Sequence, residues 1–210
     1  MISLSEILHT IAQALLIPCL IILLILMAGA VWQIGDIVVE FIAERRKHKC
    51  NVPQLLRDVH AAGADGLAEL IENSGLLRRQ KKALLELAES RGLPKDTLTA
   101  LAERLLATEE ARNARTTSIT DMIAKLGPRF GLLGTLIPLG PGIVALGQGD
   151  TVTLSESMNV AFDTTIAGVI SAAVASVISH IRKRWYNDDM VSLETLMEAV
   201  LEEVTSDVEG

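Results

Sequence analysis

A chain of 210 residues, 50% of them hydrophobic and with a mean hydropathy of +0.38, is richer in apolar residues than a globular domain of this size needs, and a membrane is the first suspect. Charged residues still make up 21%, so they must be gathered in segments outside a bilayer. The formal net charge of -7 offers no basic face to neutralise phosphates and argues against a nucleic-acid partner.

The chain opens with MISLSEILHT, which carries Glu6 and no Lys or Arg. A cleaved secretory signal needs a basic start and a small-residue cleavage site, so residues 1–10 are expected to be an extracytoplasmic leader to an uncleaved span. From Ile11 to Ile34 no residue is charged. At about 1.5 Å per residue such a helix crosses a hydrocarbon core of roughly 30 Å, which makes residues 11–35 the first transmembrane helix. Cys19 lies within this run and Cys50 within a basic one, so the two sit at different depths and are read as free thiols.

Residues 36–126 read as a cytoplasmic helical domain. Ser74 is expected to cap a helix through LLRRQKKALLELAESR that Gly92 terminates. Pro94 then opens a run with no internal Gly or Pro that leads straight into the next apolar segment, which predicts one long helix, bent at Pro128. The second span is placed at residues 127–147 and the third at 158–181, joined by an extracytoplasmic loop over 148–157. Residues 182–210 continue as a cytoplasmic C-terminal helix. Pro138 and Pro141 fall inside the second span, where packed neighbours can satisfy the freed backbone groups.

Basic clusters set the orientation. Arg45-Arg46-Lys47-His48-Lys49 follows the first span, Lys125 and Arg129 flank the start of the second, and Arg182-Lys183-Arg184 follows the third. All of them satisfy the positive-inside rule with the N-terminus outside and the C-terminus in the cytoplasm of a cell membrane, and Trp32, Trp185 and Tyr186 fall at the cytoplasmic ends. The expected fold is an all-α membrane protein with three transmembrane helices, the second and third prolonged into the cytoplasmic domain.

At about 100° per residue, Ala161, Thr165, Gly168, Ala172, Ala175 and Ser179 share one face of the third span. Gly127, Gly131, Gly134, Thr135, Pro138, Gly142 and Ala145 form a comparable stripe on the second. Such stripes let backbones approach, and the plain reading of Thr135, Thr164, Thr165, Ser171 and Ser176 is that they join helices or bond back to their own carbonyls. The sharper reading is that the stripes of several copies line a narrow polar passage.

GLLGT at Gly131 to Thr135 and AFDTTIAGVISA at Ala161 to Ala172 resemble the second- and third-span signatures of the MotA/TolQ/ExbB family. The resemblance implies a ring, usually a pentamer, that encloses the single span of a small partner similar to ExbD, TolR or MotB. That partner would supply a protonatable aspartate, and ion flow would move partner and ring relative to each other. Thr135 and Thr165 match the channel-facing threonines of such proteins, and Thr164 and Asp163 join them as candidate ion-pathway residues. Gly131, Gly134, Pro138, Gly168, Ala172 and Ser176 are the candidates for pore-facing or helix-packing positions. Where ExbB-like proteins carry a glutamate ahead of the third-span threonine this chain has Val160, and the nearest acid is Asp163, near the outer end of the span.

No P-loop, HExxH or G-x-S-x-G is present, so neither an enzyme nor a cofactor is expected. His9, His48 and His60 show no ligand spacing for a metal, and His180 is read as an interfacial residue at the end of the third span. The alternative to a channel subunit is a non-conducting membrane scaffold whose cytoplasmic helices recruit soluble partners.

Overall fold

The computed structural model describes residues 4–42 and 51–209, and every regular element among them is helical. In chain order the α-helices are α1 (Leu4–Ala14), α2 (Leu16–Glu40), α3 (Val52–Asn73), α4 (Arg78–Glu89), α5 (Lys95–Gly147) and α6 (Thr151–Glu209). Three stretches are long and apolar enough to cross a membrane: Glu6–Glu40, Lys95–Gly147 and Thr151–Ser206. The chain is therefore an all-α membrane protein whose second and third spans lie on long helices, as expected. The basic run Arg45 to Lys49, with its His48, and Cys50 lie outside the described residues.

Local chemistry accounts for the helix ends. α1 and α2 form one path interrupted at Leu15, because Pro18 has no N–H to return to the Ala14 carbonyl. Bonds from the Leu15 N–H to the Ile11 carbonyl (3.1 Å) and from the Cys19 N–H to the Leu15 carbonyl (3.0 Å) carry the path across. Helix thus reaches back to Leu4, into the stretch expected to be a leader. α5 stays helical through Pro128, Pro138 and Pro141. Between α5 and α6 the turn is tight. Gly149 adopts a positive φ of 75°, and Asp150 Oδ1 accepts the N–H groups of Val152 and Thr153, each at 3.1 Å. The Thr153 hydroxyl, donating to Asp150 Oδ2 at 2.6 Å, is the main cause holding that carboxyl below its usual range. This cap starts α6 at Thr151, ahead of the expected span.

Contacts divide the chain into two compact units. The first contains the residues up to Ile37 together with Thr117–Ile181. Leu26, Ala30, Ile123 and Ala175 form its small core, with Ile22, Phe130 and Val174 packed around them. Large apolar side chains such as Ile17, Ile25, Ile143 and Val177 face outward, an arrangement that suits lipid or neighbouring membrane helices rather than water.

The second unit contains Val38–Thr116 and the chain from Arg182 onward. Here the apolar side chains point inward: Leu67, Leu84, Leu87, Leu98, Leu193, Leu196 and Val200 are each at most 2% exposed. Burying each leucine contributes about 1.5–3 kcal/mol. Gly63, with φ 61°, joins two helical halves of α3 in a conformation that side chains disfavour.

Ser74, expected to cap α4, instead closes α3. Its hydroxyl donates to the Ile71 carbonyl at 2.6 Å, and its N–H donates to the same oxygen at 3.2 Å. Leu76 must reach the core, so the chain runs on before α4 begins at Arg78. Gln80 supplies the cap: its Oε1 accepts the Leu77 N–H (3.2 Å), and its Nε2 donates to the Asp189 carbonyl of α6 (3.0 Å).

A polar clasp holds the end of α2 to α6 within the second unit. Arg182, 1% exposed, donates from Nε to Glu40 Oε2 at 3.1 Å. The rings of Phe41 and Trp185 stack with centroids 6.1 Å apart. Burial, then the charge of Glu40 and the hydrogen bond donated to it, push the Tyr186 phenol well above its ordinary value. The folded-state pKa lies above the unfolded value of about 10, so this contribution is complete below about pH 10 and is lost as the pH climbs through the folded pKa. The wild-type chain in detergent is therefore expected to lose thermal stability from about pH 10 to about pH 11 more steeply than Tyr186→Phe, a difference that a pair of melting series would read.

Candidate functional site

The second and third spans meet over small residues. Gly127, Gly131, Gly134, Pro138, Gly142 and Ala145 are buried on α5, and Ala161, Thr164, Gly168, Ser171, Ala172 and Ala175 are buried on α6. A Cβ on Gly168 would stand 2.6 Å from the Gly127 carbonyl oxygen and 2.8 Å from Gly131 Cα. Reciprocally, a Cβ on Gly127 would stand 2.7 Å from the Gly168 carbonyl oxygen. No side chain fits between these backbones, which is the use membrane helices make of glycine. Farther along, Gly134 makes room for Thr164 and Gly142 for Ser157.

The threonines sit in and around this contact. Thr164 is buried opposite Gly134, and its one hydroxyl proton is shared between the carbonyls of Val160 and Ala161, each 2.9 Å away. Thr165, half-buried, donates to the Ala161 carbonyl at 3.0 Å, and Thr135, also half-buried, donates to the Leu132 carbonyl at 2.7 Å. A hydroxyl has one proton to give. Once that proton is held by its own helix, the oxygen can only accept from anything beyond.

The remaining candidates separate. Gly131, Gly134, Pro138, Gly168 and Ala172 are buried, and the glycines and Ala172 belong to the contact between α5 and α6. Ser176 is exposed. Asp163 is exposed too, beside Phe162 and Ile166 on the outward face of α6. The structure does not bring Asp163 or Ser176 to the threonines' small-residue contact.

Sequence reasoning missed the part α1 and α2 play. Gln13 Nε2 donates to the Ile137 carbonyl at 3.5 Å, the very carbonyl that Pro141, lacking an N–H, leaves without its helical partner. The Cys19 thiol lies 3.4 Å from the Phe130 carbonyl oxygen, and a Cβ on Gly29 would meet Ile123 at 3.1 Å. Toward the Gln33 end of α2 a polar layer links α2, α5 and α6. Thr120, fully buried, donates to Gln33 Oε1 at 3.2 Å, and the Ser179 hydroxyl donates to Asp121. The one legible signal was a lone glutamine at each end of an otherwise apolar span. His60, which looked isolated, approaches Glu203 Oε2 at 3.4 Å, and His180 is exposed. Among the described residues no group of three or more His, Cys, Asp and Glu is arranged to hold a metal ion.

Three apolar helical stretches, the last two closely packed over glycine and edged by threonines bonded to their own helices, define a polytopic all-α membrane protein. A family model, the MotA/TolQ/ExbB proton channel family, matches residues 70–195, more than half of the chain. The chain belongs to this family of membrane proton channels. No curated protein matches it.

The glycine contact predicts a rank order. Gly168→Ala forces two backbones apart and is expected to cost about 1–3 kcal/mol, as overpacking does. Gly131→Ala, whose Cβ would find its nearest atom at 3.3 Å, is expected to cost less. Gly140→Ala, with nothing within 4 Å, is expected to be neutral or stabilising by about 0.5–1 kcal/mol. Thermal unfolding of the three variants in one detergent checks the order.

Proposed function

We propose that this chain is the channel-forming subunit of a proton-driven, energy-transducing complex of the cell membrane. Several copies, a pentamer in this reading, enclose the single span of a small partner similar to ExbD, TolR or MotB, which contributes a protonatable aspartate. The basic clusters orient the chain with its N-terminus outside and its C-terminus in the cytoplasm.

One observation carries the reading beyond family membership. Thr135 and Thr165 edge the glycine contact with their protons already committed to their own helices. Such oxygens accept a hydrogen bond from a protonated carboxylic acid and offer nothing to a carboxylate. A partner aspartate is therefore held while it carries a proton and released once the proton leaves. That difference in affinity between the two protonation states turns ion flow into relative motion of ring and partner. Thr164 supports the same rim from its buried position, and Asp163 stands on the outward face, where an adjoining copy would meet it.

The test is proton flux into vesicles holding the complex with its partner. Thr135→Val/Thr165→Val keeps the shape of both side chains and is expected to abolish flux while the complex still assembles. Full flux through the double variant would favour the scaffold reading instead, in which the cytoplasmic helices recruit soluble partners and nothing is conducted.

A further inference from the structure

Charge in the second unit is sorted by helix. Beyond Arg184, α6 carries no Lys or Arg, and its exposed residues include Glu194, Glu198 and Glu202. Their spacing places the three carboxylates one above another on a single face, where like charges repel. The opposite side of the helix is occupied by core residues such as Leu193, Leu196 and Val200. The carboxylate row therefore looks outward.

On the same unit, α4 and α5 border a groove of about 520 Å³ lined by Arg79, Lys82, Arg112 and Arg115. All four are exposed. Glu86 and Glu109 also line it, with Glu109 paired to Arg112 at 3.3 Å, so cations outnumber acids. One unit thus presents a row of carboxylates and, on other helices, a groove of the opposite sign.

We propose that the groove of each copy receives the Glu194, Glu198 and Glu202 face of α6 from the neighbouring copy. The inference rests on the assembly of several copies proposed above and names the surface that sets its register. Two different patches on one chain make a head-to-tail contact, the kind that repeats around a closed ring. A phosphate-rich surface fits less well, because the groove holds carboxylates of its own and the chain is acidic overall. A row of glutamates spaced along a helix can meet the cations and pass between the acids. Exposed ion pairs hold weakly and are screened by salt, so the contact selects partner and register more than it supplies adhesion.

The test uses two full-length chains carrying tags of different size and expressed together. One bears Lys82→Cys or Arg115→Cys, and the other bears Glu194→Cys, Glu198→Cys or Glu202→Cys. Mild oxidation is expected to yield a disulfide-linked dimer of mixed size for at least one combination and none when two groove variants are paired. As a second measurement, Lys82→Glu/Arg115→Glu in the groove and Glu198→Lys/Glu202→Lys on α6 are each expected to lower the multi-copy fraction, and the chain carrying all four changes is expected to recover it. Absence of mixed dimers in every combination, or reversals that do not rescue each other, overturns the inference while the ring itself stands. A chain that extracts only as single copies removes the ring and the inference together.

Discussion

Backbone meets backbone where the second and third spans cross. Gly168 lies so close to Gly127 and Gly131 that even one methyl group would collide with main-chain atoms. In lipid there is no hydrophobic gain from bringing two apolar helices together, so close van der Waals contact and hydrogen bonds must do it. The rest of the membrane unit follows from that approach. Thr164 fits because Gly134 lies opposite, and Thr135 and Thr165 come to rest at the edges of the contact with their hydroxyls turned back onto their own helices. α1 and α2 then pack against α5 through Gln13 and Cys19 respectively, while Gly29 receives Ile123.

Polar side chains inside this unit tie its helices together. Proline in the second span leaves a carbonyl at Ile137 without its helical donor, and Gln13 reaches across from the first span to supply one. Toward the other end Gln33 meets Thr120 and Ser179 meets Asp121, so three helices are joined by bonds that have direction as well as strength. The Ser179–Asp121 bond ties α6 to α5 at that level. In the proposed cycle the titrating group belongs to the partner, and the two threonines would be the acceptors for its protonated form.

The spans were legible because unbroken apolar runs leave little choice of structure, and the small stripes were legible because Gly, Ala and Thr recur at helical spacing. A helical wheel gives a face, however, and not the neighbour opposite it. It could not distinguish stripes that look onto an open passage from stripes that consume one another, and the glycine distances show the latter for Gly127, Gly131, Gly134 and Gly168 within one chain. Arg182 illustrates the same gap. Read as one of a row of surface cations that orient the third span, it is buried against Glu40, a residue on a helix far away in sequence. Ser74 carried a good capping side chain but stands at the end of one helix rather than the start of the next, because Leu76 is needed in the core and delays α4. Local propensity and long-range packing competed in these places, and packing prevailed.

The glycine crossing joins the second and third spans of one copy, and in the proposed assembly several such copies surround a foreign helix. Native mass spectrometry of the complex, released gently in detergent from its own membrane, addresses that most directly. The account predicts several copies of this chain, five in the pentameric arrangement, with one or two copies of a small single-span protein. A monomer or dimer of this chain with no such companion would contradict it.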